Sequence, residues 1–138
     1  MFMIDSTFID TITLFNHYTD NSDKPKHKWG RIVLKNCYFG KVTGKSSTNL
    51  ALTDADAYVC RIPKSPFYVE LYQGNINTFS LAEGDVIVKG EVSDGISDTA
   101  GNRPADIIKR YSGNAFQVKN VSINTHLPFA QHYRASGS

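Results

Sequence analysis

The clearest pattern of hydrophobic and polar positions lies at residues 79–92, FSLAEGDVIVKGEV. After the turn in this stretch, Val86 and Val88 fall on one face of an extended chain, whereas Ile87 and two charged residues fall on the other. This alternation predicts a β-strand in a sheet with one apolar face and one wet face. Gly90, inside the run, indicates a bulge or a sharp bend, such as the corner of a barrel requires.

The sequence Glu83-Gly84-Asp85 predicts the turn that leads into this strand. Glycine adopts positive φ values at little cost, and an aspartate side chain can hydrogen-bond to the backbone of its own turn. We therefore predict that Gly84 and Asp85 are structural turn residues. The same turn accounts for Glu83.

Runs rich in β-branched and aromatic residues predict the other strands. They lie at residues 11–18, 29–38, 57–62 and 115–121, with a short closing strand at 131–134. The first two runs are separated by a polar turn and predict a hairpin with long arms. Residues 64–77 predict either a short strand or an irregular excursion.

One segment, at residues 104–111, predicts a helix. Pro104 suits the first helical position, Asp106 suits the first turn, and two basic residues suit the last turn. Asn102 is the expected N-cap, and Gly113 is expected to end the helix. We expect the helix to lie across one end of the sheet.

Five or six short strands and one helix predict a mainly β fold, a small antiparallel β-barrel or sandwich. The chain of 138 residues is long enough to bury a hydrophobic core, so residues 1–138 are expected to form a single domain. Within it, residues 1–10 are expected to be a lead-in segment and residues 135–138 a frayed tail.

Charge and hydropathy narrow the functional classes. The formal net charge is +2, whereas a nucleic-acid-binding domain ordinarily carries a concentrated basic face. The basic run at residues 24–31 contains Pro25 and follows two aspartates, so we interpret it as a solvated turn. No apolar run approaches the roughly 20 residues that span a bilayer, and no signal-peptide pattern is visible. We therefore expect synthesis in the cytoplasm and no membrane partner.

Cys37 and Cys60 are the only cysteines, and each lies in a strand-like run. Two buried free thiols are the expected state for a chain made in the cytosol, while the sequence leaves a disulfide open.

Reactive motifs do not emerge from the sequence. The histidines occupy separate segments without the spacing of metal ligands, so each is interpreted as a surface or packing residue: His17, His27, His126 and His132. Asp54 and Asp56 lack the ligand loop of a calcium site. There is no phosphate-binding glycine loop, nucleophile elbow or zinc-hydrolase helix. The sequence thus predicts no catalytic residue, metal site or cofactor.

Six segments follow one another in a distinctive order. They are TITLFNHY, WGRIVLKNCYF, a strand ending Cys-Arg-Ile-Pro-Lys, LAEGDVIVKGEV, FQVKNV and a terminal HYR. From about Thr11 to Arg134, this order resembles small proteins from the structural gene clusters of long-tailed bacteriophages and prophages. More distantly, it resembles the head-closure, or stopper, proteins of the phage neck. The chain departs from the shorter stopper proteins by an insertion at residues 93–113 that carries the helix.

The resemblance implies a non-enzymatic virion protein at the head–tail interface. Its copies would form a homo-oligomeric ring that joins the portal side to the tail and retains packaged DNA. The implied partners are portal or adaptor proteins and tail proteins, with non-specific contact to DNA. A tail terminator, or another neck or tail component, is the near alternative.

The polar segment 40–56 is the candidate loop for assembly or for lining a channel, with a merely mobile surface loop as the alternative. Its candidate residues are Lys41, Thr43, Lys45, Ser46 and Asn49.

Two other functional classes remain open. A single-stranded nucleic-acid-binding barrel predicts exposed aromatic residues, such as Tyr38, Phe39 or Tyr58, on one strand face beside basic residues. A small enzyme or lectin-like module would use a pocket at the end of the barrel. Unpaired strand edges would favour the ring subunit instead.

Overall fold

The computed structural model describes residues 8–19, 27–41, 58–97, 99–126 and 131–137. Within these ranges the elements are β1 (Asp10–Thr19), β2 (His27–Lys41), β3 (Tyr58–Pro63), β4 (Val86–Lys89), α1 (Pro104–Arg110), β5 (Ala115–Asn124) and β6 (His132–Gly137). The strands pair antiparallel in the order β1-β2-β3-β6-β5-β4, and β4 pairs with β1 to close a barrel. The predicted mainly β fold with one short helix is confirmed, and its form is the barrel.

The interior of the barrel is filled by side chains from all six strands. Alternate residues of β1, such as Ile12 and Leu14, point inward because successive residues of a strand face opposite sides of the sheet. The buried members of this interior cluster are Ile12, Leu14, Cys37, Phe39, Cys60, Ile62, Phe79, Leu81, Ile87, Phe116, Val118, Tyr133 and Ala135.

A second apolar cluster covers the outer face of β1, β4 and β5. Phe15 and the two valines Val86 and Val88 pack there against Ile107 of α1 and Ile96 of the preceding segment. Strand β4 is therefore buried on both faces, since its Ile87 belongs to the interior cluster. The expectation of one wet face on β4 is wrong, because the face of Ile87 points into the closed barrel and the helix-bearing segment covers the opposite face.

Helix α1 lies on the outer face of β4 and β5 rather than across an end of the sheet, which corrects the predicted placement. Its N-cap is Arg103 and not Asn102. The Asp106 carboxylate accepts hydrogen bonds from the backbone N–H groups of Gly101 and Arg103, and this closes the loop before the helix. The helix ends at Arg110 with Tyr111 as its C-cap, and Gly113 lies two residues beyond this cap in the turn that follows.

The two ends of the described chain belong to the barrel more fully than the sequence indicated. Asp10 is the first residue of β1, and its carboxylate accepts a hydrogen bond from the Phe39 N–H at 3.0 Å. Ala135 and Ser136 are buried in β6, where they pair with both β3 and β5. The prediction of a frayed tail from residue 135 is wrong, because residues 135–137 complete the barrel.

Candidate functional site

The predicted turn at Gly84 and Asp85 is present, and it holds a buried carboxylate. Gly84 has a φ of 100°, which an L side chain rarely adopts. The Oδ1 atom of Asp85 accepts the His17 backbone N–H at 3.0 Å and lies 2.5 Å from the His17 Nδ1 atom. The Oδ2 atom accepts hydrogen bonds from Asn16 Nδ2 at 2.8 Å and from the Ala82 N–H at 2.9 Å. This carboxylate joins the end of the turn to the middle of β1.

Asn16 completes the connection between β1 and the segment before the turn. Its Nδ2 group also donates to the Ser80 carbonyl at 2.7 Å, and its Oδ1 atom accepts the Ser80 N–H at 3.2 Å. Asn16 is 1% exposed, so these bonds replace water almost entirely. A buried asparagine with all these partners fixes the position of the turn against the strand.

Burial controls the acidity of this site. Removal of water raises the pKa of Asp85 above its ordinary value, while the hydrogen bonds and charge of His17 and the bonds from Ala82 and Asn16 oppose that rise. The imidazole is held on its other sides by Trp29, with ring centroids 5.5 Å apart, and by Gly84, where a Cβ would lie 3.2 Å from the His17 Cε1 atom. The Asp85 carboxylate fixes the orientation of the His17 ring. These contacts are those of a structural link between β1 and the turn before β4.

Sequence reasoning did not predict that His17 and Asp85 contact each other. It interpreted His17 as a surface or packing residue and Asp85 as a residue of the turn alone. The turn assignment is incomplete, since Asp85 also bonds two residues of β1. The available signal was Asn16-His17, two polar residues inside a run that otherwise reads as a buried strand.

Three further features of the described residues concern metal-binding groups, buried polar atoms and membrane-spanning helices. Among described residues, no group of three His, Cys, Asp or Glu side chains is arranged to hold a metal ion. Each buried polar side-chain atom of those residues has a hydrogen-bond partner. No helix within the same ranges is long and apolar enough to cross a membrane.

Lys41 is the one member of the candidate assembly loop that the structure describes. It is the last residue of β2, and its ammonium group lies 5.8 Å from the centroid of the Tyr58 ring. The other four members, Thr43, Lys45, Ser46 and Asn49, lie outside the described residues, as do Asp54 and Asp56. The role of this loop stays a prediction.

The aromatic residues named for a nucleic-acid platform do not share an exposed face. Phe39 points into the barrel and is 7% exposed. Tyr38, its neighbour on β2, therefore faces outward, where Arg61 lies 5.3 Å from its ring centroid. Tyr58 stacks parallel to the buried Phe116 ring, with centroids 5.6 Å apart. A continuous stacking surface along β2 and β3 is therefore absent among these residues.

Residues 64–79 form an irregular excursion that two tyrosines anchor. Its backbone forms one isolated β-bridge, which joins Tyr68 and Phe79 at the two ends of the same segment. Tyr68 stacks on Tyr133 of β6, with ring centroids 4.1 Å apart, and the buried Tyr72 meets Tyr18 of β1 edge to face at 5.3 Å. These contacts hold the excursion on the side of the barrel.

Three large apolar side chains of this excursion are exposed to solvent. Phe67 is 58% exposed, Leu71 is 71% exposed and Ile76 is 75% exposed. We call these three side chains the excursion patch. Single exposed apolar residues are common on proteins, whereas a contiguous exposed apolar patch marks an interaction site. Sequence analysis missed this patch, because an irregular backbone has no period that separates its inward from its outward residues.

The two cysteines are buried free thiols, as the sequence predicted. Removal from water raises the pKa of Cys37 to about 12, and it raises the pKa of Cys60 well above the ordinary value. The negative charge of Asp10 adds to both shifts. Neither thiol is therefore a candidate nucleophile in the folded protein.

Comparison with known proteins identifies a family. Residues 7–138 match the model of a family of unknown function (DUF6751). No curated protein and no solved structure matches the chain. Since the family model covers nearly the whole sequence, the chain belongs to the DUF6751 family.

Proposed function

We propose that this protein is a non-enzymatic virion component of the head–tail interface of a tailed bacteriophage. It acts as a head-closure-like subunit whose copies form a ring between the portal side and the tail and retain packaged DNA. The resemblance in segment order, described above, suggests the location. The observation that carries the assembly role is the excursion patch.

The patch suits a subunit that binds its neighbours. Full burial of a Phe, Leu or Ile side chain contributes on the order of 1.5–3 kcal/mol. Because Tyr68 and Tyr72 already hold the excursion in place, little conformational entropy remains to be lost when a neighbour covers it. A repeated contact of this kind around a closed ring needs no reactive site.

The contact between subunits is assigned to side chains rather than to strand edges. Each described strand pairs with two neighbours in the barrel, so none of them is an edge strand. This differs from the expectation that a ring subunit would present unpaired edges. A tail terminator, or another neck or tail position, would use the same patch and differs only in location.

The experiment is a comparison of assembly in solution and location in the particle. Wild-type protein is expected to form a concentration-dependent oligomer in sedimentation velocity, and Leu71→Ser/Ile76→Ser is expected to remain monomeric. The control is Ile9→Ser/Ile123→Ser, which removes two other exposed isoleucines and is expected to assemble normally. In a second experiment, the lysate of the source phage is sedimented through a density gradient, and the fractions are probed with an antibody. The protein is expected in the fractions that contain complete tailed particles.

Two results would contradict this function. One is a free small protein at the top of the gradient, which would remove the virion location. The other is an oligomer that the Leu71→Ser/Ile76→Ser variant leaves intact, which would remove the patch from assembly. Particles made without the protein are expected to have heads that lose DNA; particles with complete heads and defective tails would indicate the tail-terminator position.

A further inference from the structure

A pocket of about 360 Å³ lies between helix α1 and strand β5. Its apolar wall includes Tyr58, Ile108 and Ala115, and its basic wall includes Lys109 and Lys119. The volume falls in the range of about 300–1,000 Å³ that is usual for small-molecule sites. The pocket shares no residue with the excursion patch.

The charged side chains that line the described part of this pocket are lysines. Among the described residues, its lining contains two lysines and no carboxylate. Neither Lys109 nor Lys119 forms an ion pair with any described residue, whereas the neighbouring Arg110 is paired with Asp94. A third ammonium group, that of Lys41, lies 5.8 Å from the ring centroid of Tyr58, which is one of the lining residues. Cations that have no ion-pair partner among the described residues concentrate positive potential at a concave surface, even in a chain of net charge +2.

The apolar wall is rigid enough to receive the organic part of a ligand. The ring of Tyr58 stacks on the fully buried ring of Phe116, which lies in the interior of the barrel. Ile108 packs against the outer cluster, and it lies next to Lys109 on helix α1. The Gln117 side chain is fixed at the pocket by donating to the Gly84 carbonyl at 3.1 Å. Apolar and cationic groups thus face one space from fixed elements.

We propose that this pocket binds a phosphate ester with an apolar or planar organic part, such as a nucleotide. The ammonium groups of Lys109 and Lys119 hold the phosphate, because lysine is a compact cation with three donors and suits phosphate as a point charge. The organic part lies against Tyr58 and Ile108. A free nucleotide and a nucleotide unit of a nucleic-acid strand share this chemistry. The site does not depend on the ring function, since assembly is assigned to other residues.

The test is calorimetric titration of the purified full-length protein at low salt with two probes. One is thymidine 5′-monophosphate, and the other is a 5′-phosphorylated oligothymidine strand. The pocket variant is Lys109→Gln/Lys119→Gln. The matched control is Lys35→Gln/Lys64→Gln, which removes the same charge from two exposed lysines outside the pocket. Lys119→Arg keeps the charge and is expected to keep binding.

We expect the wild-type protein to bind at least one probe and the pocket variant to bind it at least about tenfold more weakly, the size of one lost charged hydrogen bond. For the strand, the slope of log affinity against log salt should fall by about 1.4 in magnitude, or 0.7 for each lost phosphate contact. Binding of the monophosphate supports a free nucleotide as ligand; binding of the strand alone supports nucleic acid. Failure of both probes to bind, or an equal loss in the control, would overturn the site. Sedimentation velocity of the same variants shows whether a change in probe binding is accompanied by a change in oligomeric state.

Discussion

The Nδ1 atom of His17 lies 2.5 Å from the Oδ1 atom of Asp85, although 68 residues separate the two in the chain. The contact joins the middle of β1 to the turn that starts β4. Three further donors reach the same carboxylate from Asn16, Ala82 and the His17 backbone. The closure of the barrel at β1 and β4 is therefore fixed by polar contacts as well as by the strand pairing.

Replacement of Asp85 by asparagine should destabilise the fold. Asparagine offers one acceptor oxygen where four donors converge, and its NH₂ group would face donors. Asp85→Asn is expected to lower the free energy of unfolding by about 2–4 kcal/mol in urea denaturation. Glu83→Gln changes an exposed carboxylate of the same turn and should stay within about 0.5 kcal/mol of wild type. Equal urea midpoints for the two variants would show that the Asp85 contacts contribute little.

Asp85 should also give the stability a defined pH dependence. Burial raises its pKa in the folded state above the value of 3.8 expected when the chain unfolds. The folded state therefore holds the proton more tightly, so the stability that comes from this proton is fully present below about pH 3.8 and is lost as the pH rises through the folded-state pKa, whereas the hydrogen bonds to the carboxylate remain. The difference in unfolding free energy between wild type and Asp85→Asn should narrow across this window. Urea denaturation at a series of pH values measures it; a difference that widens with rising pH would mean that the charge of His17 outweighs burial.

A methyl group at Gly137 should force β5 and β6 apart. A Cβ at this position would lie 2.0 Å from the backbone oxygen of Gln117, which has no rotamer to move. Gly137→Ala is expected to cost about 1–3 kcal/mol, by analogy with overpacked cores. Gly95→Ala, where nothing lies within 4 Å of the added methyl group, should be neutral or slightly stabilising. Equal thermal midpoints for the two variants would contradict a tightly packed β6.

The two thiols should report unfolding. Because desolvation raises the pKa of Cys37 and of Cys60, almost no thiolate is present at neutral pH. A disulfide reagent such as Ellman's reagent should leave the native protein unmodified and should modify two thiols per chain in denaturant. Cys60→Ser should reduce that count to one. Fast labelling of the native wild-type protein would show that the barrel opens to solvent far more often than this packing allows.

Local sequence signals were sufficient for most of the elements. The runs at residues 11–18 and 115–121 are rich in β-branched and aromatic residues, and both lie within longer strands, β1 and β5. Pro104 marked the start of the helix correctly because proline suits the first helical turn. These signals come from neighbouring residues in the sequence, so they do not depend on contacts with distant parts of the chain.

The remaining features depend on contacts between distant parts of the chain. The alternation around Ile87 suggested a wet face, since nothing local reveals that Ile87 points into a closed barrel and that Ile96 and Ile107 cover the opposite face of β4. The partnership of His17 and Asp85 likewise requires the register of β1 against β4. The pocket beside Lys119 exists only because α1 folds back onto β5.

Strand β6 occupies the position between β3 and β5 and is the last of the six to be synthesised. On the ribosome, the ring of strands therefore cannot close until residues 132–137 have left the exit tunnel. Before that moment, β3 and β5 each expose a row of unpaired backbone groups, which are templates for pairing with another chain. Crowded synthesis on polysomes should thus be the stage at which this protein is most exposed to misassembly.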